Sequence, residues 1–400
     1  MSILTIATYR PAWSGEGSAR VPGRDEDVVT MAVDAALAAL GGDHEIERLV
    51  LITRQPDYIE SGLAGVVSVA LDLSKASAVE ERLGGGPAVL DAVAAAAPGT
   101  LVVAVSPQSP AGAAAVLVGE TGASATFAGR VDRSLPIQIR TAGAAESRVY
   151  DDPRLLRERG WRPAIDQLKV RAEGTVVVAG VPAREAPKFG FDASFGSERP
   201  VGGAAEPLFA VAEMIERGVS GRIIAVEGGA AAALDIALGD ARVVRKERAA
   251  PLAVQKTTAI QAEIPISLAA YERAFDAKLG LRAARCSCGE LSYPPRTVCL
   301  ACGAEGTPPL ESLPRDGEVY TVTTIHTPIP GMVSPYSLAI VSLGDSGVRV
   351  LVHVTDAPAA SVGIGRNGTL VLRRVATREG IPDYGYGFRP DEAFEGGEVA

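Results

Sequence analysis

Four cysteines are the only thiols in this 400-residue chain, and all fall in one stretch: Cys286-Ser-Cys288-Gly289, then Cys299-Leu-Ala-Cys302-Gly303. Thiolates are soft ligands, and four of them around one tetrahedral ion suit Zn²⁺. The two pairs are separated by 10 residues, and a glycine follows each, so two tight turns would point sulfurs and backbone amides inward. A ribbon normally has Cys-x2-Cys on both sides. Here the first pair is Cys-x-Cys, and Arg285 stands where the longer spacing would place a ligand. The expectation is a structural zinc on Cys286, Cys288, Cys299 and Cys302, with a first arm that leaves the site distorted, weak or lost. The alternative is four unpaired or disulfide-bonded cysteines. Nothing marks the chain as secreted, and disulfides are rare in a reducing cytosol. A catalytic zinc, with three protein ligands and a water, is not expected.

The elements that must position this knot differ on its two sides. Four hundred residues exceed one typical core and predict two or three domains. The chain is 47% hydrophobic and 22% charged, ordinary for a folded protein. Net charge is −9 with no basic run, and aromatic content is 5%, so a nucleic-acid surface is not expected. No basic start with a long apolar run opens the sequence, and Ala-rich stretches are broken by residues such as Pro98 and Gly99. Neither a signal peptide nor a membrane span is read, and a cytoplasmic protein is the default.

Before the knot, short Val/Ile/Ala runs alternate with helical patterns and Gly-rich turns. Strands are predicted over 2–8, 46–53, 101–106, 113–119, 122–128, 175–180 and 221–226. Helices are predicted over 27–40, where acidic residues crowd the first turn, and over 204–217, ended by Gly218. Residues 140–164 read as an insertion with a helix over 153–159. Alternation of this kind predicts an α/β layered fold. The pattern weakens around 243–258. A helix over 267–279 then leads into the knot. Beyond Cys302, strands over 317–327, 336–343, 348–354 and 369–375, with Gly/Pro/Asp punctuation, predict a small antiparallel barrel. The boundaries are 1–245 for the first domain, 246–262 for a linker, 263–310 for helix and ribbon, 311–392 for the barrel and 393–400 for a frayed tail.

Two families resemble parts of this chain. Residues 263–390 are similar to the zinc-ribbon plus OB-fold family associated with acyl-CoA enzymes. The residues that carry this are Arg285-Cys286, Tyr293-Pro294-Pro295-Arg296, Cys299-x-x-Cys302-Gly303, Gly317-Glu-Val-Tyr320-Thr and Tyr386-Gly387-Phe388-Arg389-Pro390. The resemblance implies a rubredoxin-like ribbon and an OB-fold. Residues 1–245 resemble the thiolase-like superfamily, nearest to hydroxymethylglutaryl-CoA synthases of archaeal type. The match lies in Val21-Pro22-Gly23-Arg24-Asp25-Glu26-Asp27, then Thr30-Met31-Ala32-Val33, and in Val201-Gly202-Gly203-Ala204-Ala205. It implies two similar α/β halves stacked in layers, dimerisation through the sheets and CoA thioester substrates.

The resemblance breaks down at the family's catalytic positions. Condensing enzymes of this superfamily use a Cys nucleophile, because a thiolate exchanges readily with a thioester. No cysteine precedes Cys286. The family's nucleophile turn falls near Leu83-Gly84-Gly85-Gly86, with Leu83 at or near the lost Cys, its general base near Thr53 or Arg54, and its histidine after 175–180, where none stands. The three histidines, His44, His326 and His353, read as structural or exposed. The glycine run Gly84-Gly85-Gly86 could cradle a phosphate at a helix start, but alone it is more often a plain turn. No catalytic residue is therefore assigned. The expected role is an auxiliary acyl-CoA-binding subunit for a thiolase or ketoacyl-synthase-type partner, homodimeric or hetero-oligomeric through the thiolase-like domain. Arg285 and Arg296 at the ribbon–barrel junction could meet CoA phosphates, or could simply hold the ribbon to the barrel. The alternative is a divergent acyl-CoA transferase, hydrolase, condensing enzyme or aldolase acting without Cys, with Tyr293, His326 or Tyr384 available for proton transfer.

Overall fold

The structure is a computed structural model describing residues 1–391 apart from 16–18, 43, 59–61, 134, 136–137, 142–143, 145, 147, 151, 169–173, 249–251, 253–274, 276, 328–333 and 379. The chain forms two compact units. Unit 1 is Met1–Arg10, Ala35–Ala64 and Ser74–Glu247; unit 2 is Pro11–Asp34, Gly65–Leu73 and Arg248–Ala400. Unit 2 takes up the chain from Arg248 onward. The capture of two early segments by unit 2 does not follow sequence order. Most of the expected linker, most of the expected helix over 267–279 and the tail lie outside the described residues; within that helix, 275 and 277–279 are helical.

Unit 1 is built on a mixed ten-stranded sheet. Its order runs Thr175–Ala179, Gly221–Glu227, Ala230–Ala237, Ala123–Val131, Ser2–Tyr9, Gly112–Gly119, Thr100–Ser106, Arg48–Thr53, Ala78–Leu83, with Arg242–Lys246 pairing Ser2–Tyr9. The central strands TLVVAVS and GAAAVLVG are buried along nearly their whole length, which is why they read as unbroken apolar runs. The helices Gly86–Ala94 and Glu206–Glu216 share one core with the sheet. Leu90 and Val93 of the first and Phe209, Val211 and Met214 of the second are buried there. A second cluster gathers Trp161, Ala164, Ile224, Val226 and Ala233. A buried side chain of this size contributes about 1.5–3 kcal/mol, so these two cores define an α/β layered fold as expected.

Several elements depart from the sequence reading, among them the helix Ala64–Ala70 and the strands Ala230–Ala237 and Arg242–Lys246, and three departures have a plain physical cause. The helix over 153–159 runs further: an α-turn at Pro153–Leu155, a π-turn at Leu156–Trp161 and an α-segment at Arg162–Leu168. Burial of Trp161 edge-on to Phe189, with ring centroids 5.1 Å apart, accounts for the extension. Ala78–Leu83, sequence AVEERL, is a strand despite its charges, because it lies at the sheet edge. Ile381–Pro390, sequence IPDYGYGFRP, is a barrel strand despite its glycines.

Unit 2 contains a closed barrel in the order Asp316–Ile325, Tyr336–Leu343, Arg349–Val354, Ile381–Pro390, Asn367–Arg378. Strict alternation of burial along Tyr336–Leu343 shows one face turned inward. A three-stranded ribbon, Leu291–Ser292, Arg282–Arg285, Leu310–Ser312, precedes it. The segment Pro11–Asp34 packs on the barrel through charge. Arg373, 1% exposed, lies 2.9 Å from Asp34 and 2.7 Å from Asp356, with Glu26 at 3.7 Å and Asp25 at 3.9 Å. Arg389 also reaches Asp34, at 3.2 Å. Burial pushes the Asp34 carboxyl up, but Arg389 and Arg373 outweigh it and hold it below the usual carboxylate range. Asp27, expected to act on the dipole of the helix Val28–Leu40, caps that helix instead. Its Oδ1 accepts from Thr30 N at 3.0 Å, and its Oδ2 accepts from the Tyr384 hydroxyl at 2.9 Å. Burial pushes Asp27 up.

Candidate functional site

The ribbon folds by two glycine turns. Gly289 N donates to Cys286 O and Gly303 N to Cys299 O, each at 2.9 Å. Both glycines have positive φ, 94° and 74°, which a side chain would resist. The turns bring Cys286 Sγ to 3.6 Å from Cys302 Sγ and Cys288 Sγ to 3.7 Å from Cys299 Sγ. All four sulfurs lie within 4.8 Å of one another. Four sulfurs at about 2.3 Å from one tetrahedral ion would be about 3.8 Å apart. The donor set therefore fits a metal ion, and the short Cys-x-Cys arm still brings its two sulfurs to the cluster.

Arg285 does not face open solvent alone. Its guanidinium forks onto Glu311, with Nη2 2.7 Å from Oε1, and Nη1 donates to Gly289 O at 2.9 Å. Arg296 is exposed. Of the residues considered for proton transfer, Tyr293 has its phenol pushed up to about 12 by burial. His326 is exposed and Tyr384 is buried on Asp27. His44 is exposed, and His353 is half-buried and stacked on Tyr336. Burial lowers the His353 pKa, keeping a neutral imidazole at pH 7.

In unit 1, the turn expected to carry a nucleophile joins the strand Ala78–Leu83 to the helix Gly86–Ala94. Leu83 is 66% exposed. The space at the helix start is taken. Gly85 N donates to Glu227 Oε2 at 3.2 Å, and Arg54 Nε donates to Glu227 Oε1 at 2.8 Å. A Cβ at position 85 would lie 2.5 Å from Glu227 Oε1, one at position 84 would overlap the methyl of Ala88, and one at position 86 would lie 3.0 Å from the methyl of Ala225. A carboxylate paired to Arg54 thus occupies the space beside Gly85, while Leu83, at or near the position of the lost Cys, stays exposed. Near the end of the strand Thr175–Ala179, where a histidine was missing, Gly180 N donates to Glu206 Oε1 at 2.9 Å. Burial pushes Glu206 up to about 7, against the lowering effect of that amide. Sequence reading did not single out Glu206 or Glu227. The available signal was a lone acid at a helix start, Ala205-Glu206-Pro207, and one ending an apolar strand before Gly228-Gly229.

A family model of the ChsH2 C-terminal OB-fold domain matches residues 311–371, from the last ribbon strand into the closed barrel. A DUF35 domain-containing scaffold protein of Pyrococcus furiosus is 32% identical over 130 residues, which is 32% of this chain and 94% of that one. The chain belongs to the DUF35 family. A second DUF35 domain-containing scaffold protein, from Methanocaldococcus jannaschii, is 31% identical over 27% of this chain and 79% of its own length. Among solved structures, the curacin pathway HMG synthase is similar at 16% identity and TM-score 0.47, covering 60% of this chain and 79% of that chain. A single-residue variant of Xanthomonas campestris OleA is similar at 17% identity and TM-score 0.48, over 59% and 96%. The Ltp2-ChsH2(DUF35) aldolase matches 32% of this chain and 98% of that chain at 25% identity and TM-score 0.26. No helix among the described residues is long and apolar enough to cross a membrane.

Proposed function

We propose that this DUF35 chain is an auxiliary, non-catalytic acyl-CoA-binding subunit that supports a thiolase or ketoacyl-synthase-type condensing partner. The observation that carries the reading is the match of its C-terminal third to DUF35 relatives described as scaffold proteins. The glycine turn of unit 1 supports it: no cysteine stands there, and Glu227 crowds Gly85 at the helix start. The ribbon cysteines would hold Zn²⁺ as a structural ion, since four converging sulfurs leave no position for water. CoA phosphates would meet the exposed Arg296, and also Arg285 once it releases Glu311. Replacing both by Ala and finding acyl-CoA binding unchanged would remove that part of the reading.

The partner surface in this reading includes the edge strand Ala78–Leu83. It ends the sheet and exposes Val79 (45%) and Leu83 (66%). Antiparallel pairing of two copies about Glu81 would set Val79 against Leu83 and Glu80 against Arg82, a self-complementary register. The test of function is incubation with acetyl-, acetoacetyl- and longer acyl-CoAs, alone and with a thiolase-type enzyme. Turnover only with the partner supports the reading, and turnover by the isolated chain overturns it. The second reading is acyl-CoA chemistry without cysteine: Glu206, whose carboxyl accepts from Gly180 N at 2.9 Å and is pushed up to about 7 by burial, would suit general acid–base work.

A further inference from the structure

The cysteines of the ribbon stand on two arms whose backbone hydrogen bonds do not join them. In the first arm, Cys286 N donates to Glu290 O and Gly289 N to Cys286 O, each at 2.9 Å. In the second, Cys299 N donates to Ala304 O, Gly303 N to Cys299 O and Gly306 N to Thr297 O, again at 2.9 Å. Every one of these bonds stays within its own arm. Among the described residues, the polar contacts that cross from one arm to the other are between sulfurs, Cys286 with Cys302 at 3.6 Å and Cys288 with Cys299 at 3.7 Å. What holds the arms together is therefore decided by the chemistry of the sulfurs.

Exposure divides each pair. Cys302 and Cys288 are exposed, while Cys286 and Cys299 are half-buried. Each cross-arm pair thus has one sulfur that a small solute reaches from solvent and one set behind it. In that arrangement an oxidised cysteine is resolved by its neighbour before it is oxidised further. The chain has no cysteine elsewhere, so no thiol outside the ribbon competes for the intermediate within the molecule. Bridging Cys286 to Cys288 would close a ring over the single residue Ser287, which strains a disulfide.

We propose that the ribbon is an oxidative modification site for hydrogen peroxide, at which Cys286–Cys302 and Cys288–Cys299 close as two cross-arm disulfides in place of metal ligation. In each pair the exposed thiolate attacks a peroxide oxygen. The O–O bond breaks, a sulfenic acid forms and hydroxide leaves. The half-buried thiolate then attacks that sulfur, so that the S–S bond forms, the S–O bond breaks and a second hydroxide leaves. Each pair gives up two electrons to one peroxide, and two protons from solvent turn the hydroxides into water. The bridged sulfurs are no longer thiolates and give up the metal, yet they keep the arms joined, and a thiol reductant reverses the change. The loss of metal rests on the zinc reading above; the closing of the bridges does not.

The test uses the full chain, purified under reductant, with its zinc content measured at the start. Hydrogen peroxide is expected to release about one zinc for every four thiols lost. Trypsin cuts after Arg285, Arg296 and Arg315, which places Cys286 and Cys288 in one peptide and Cys299 and Cys302 in the next. Cross-arm bridges make the two peptides run as one mass until reductant is added. Separate peptides with internal disulfides would overturn the proposal, and so would sulfinic or sulfonic acids without bridges. Double variants, oxidised without metal, test the pairing. Cys286→Ser/Cys302→Ser keeps the 3.7 Å pair and should bridge severalfold faster than Cys286→Ser/Cys299→Ser, which does not; equal rates would overturn the assignment. Hydrogen exchange reads the shape. The amides of Cys299, Gly303 and Gly306 should be protected alike in the zinc-loaded and the bridged chain, and about tenfold less in the reduced chain stripped of metal. Protection lost on bridging would show that disulfides do not replace the ion. A chain that holds no zinc at the start yet closes both bridges would sink the zinc reading and leave the modification site in place. Full zinc that peroxide neither releases nor replaces by bridges would do the reverse.

Discussion

Glu206 carries a testable electrostatic burden. Its carboxyl stands near 7 in the folded chain against an ordinary 4.5. A raised acid pKa means that the folded state holds the proton more tightly than the unfolded state. The associated stability is complete below about pH 4.5 and is lost as pH rises through 7. Glu206→Gln should therefore stabilise unit 1 at pH 8, on the order of 1–2 kcal/mol after allowance for solvent, and give little gain at pH 5. Urea titrations at the two pH values decide it; an equal effect at both would refute the assignment. Glu227 yields a steric prediction. Gly85→Cys should cost about 1–3 kcal/mol by overpacking against the Glu227 carboxylate. The double variant with Glu227→Ala should recover much of the loss. At this scale the sequence shows that no cysteine precedes Cys286. It could not show what fills the space, since Arg54 and Glu227 are 173 residues apart and no local pattern links them.

Elements were legible where a single periodicity governs them. Tyr336–Leu343 was readable as a strand from its run of apolar residues, and the glycine-flanked cysteine pairs became the two turns that gather the sulfurs. They were not legible where tertiary constraint overrides propensity. In Ile381–Pro390, a Cβ at Gly387 would meet Thr355 at 3.0 Å and Arg373 at 3.4 Å, so close approach selects a residue that strand propensity penalises. In Ala78–Leu83 the charges reflect an edge position, with Glu80 taken by Arg48 and Arg82. The ribbon predicts about one zinc per chain by atomic absorption. Cys288→Ser should lower that occupancy severalfold, and a full zinc complement in the variant would show that the short arm is not a ligand. For the edge strand, Leu83→Lys should shift any dimer to monomer in light scattering, whereas an unchanged mass would exclude this edge as the contact.

Across the whole molecule, unit 2 is assembled from chain segments far apart in sequence. Arg373 holds Asp34, Asp356, Glu26 and Asp25 together with almost no access to water. Removing one member of a buried ionic cluster leaves the others uncompensated, so Arg373→Ala should destabilise unit 2 by about 3–5 kcal/mol, read as an earlier melting transition. A chain cut after Glu247 keeps Asp25, Glu26, Asp27 and Asp34 but loses the arginines they pack on, so protease should cleave its segment Pro11–Asp34 readily, and an uncut segment would refute this dependence. The same connectivity bears on synthesis. Asp34 and its arginine are 339 residues apart. At roughly 5–20 residues per second, a nascent chain waits on the order of 20–70 s between the emergence of that acid and its counter-ion. Throughout that interval the stretch from Pro11 onward has no surface to fold against, which makes it a natural client for whatever holds unfinished chains at the ribosome.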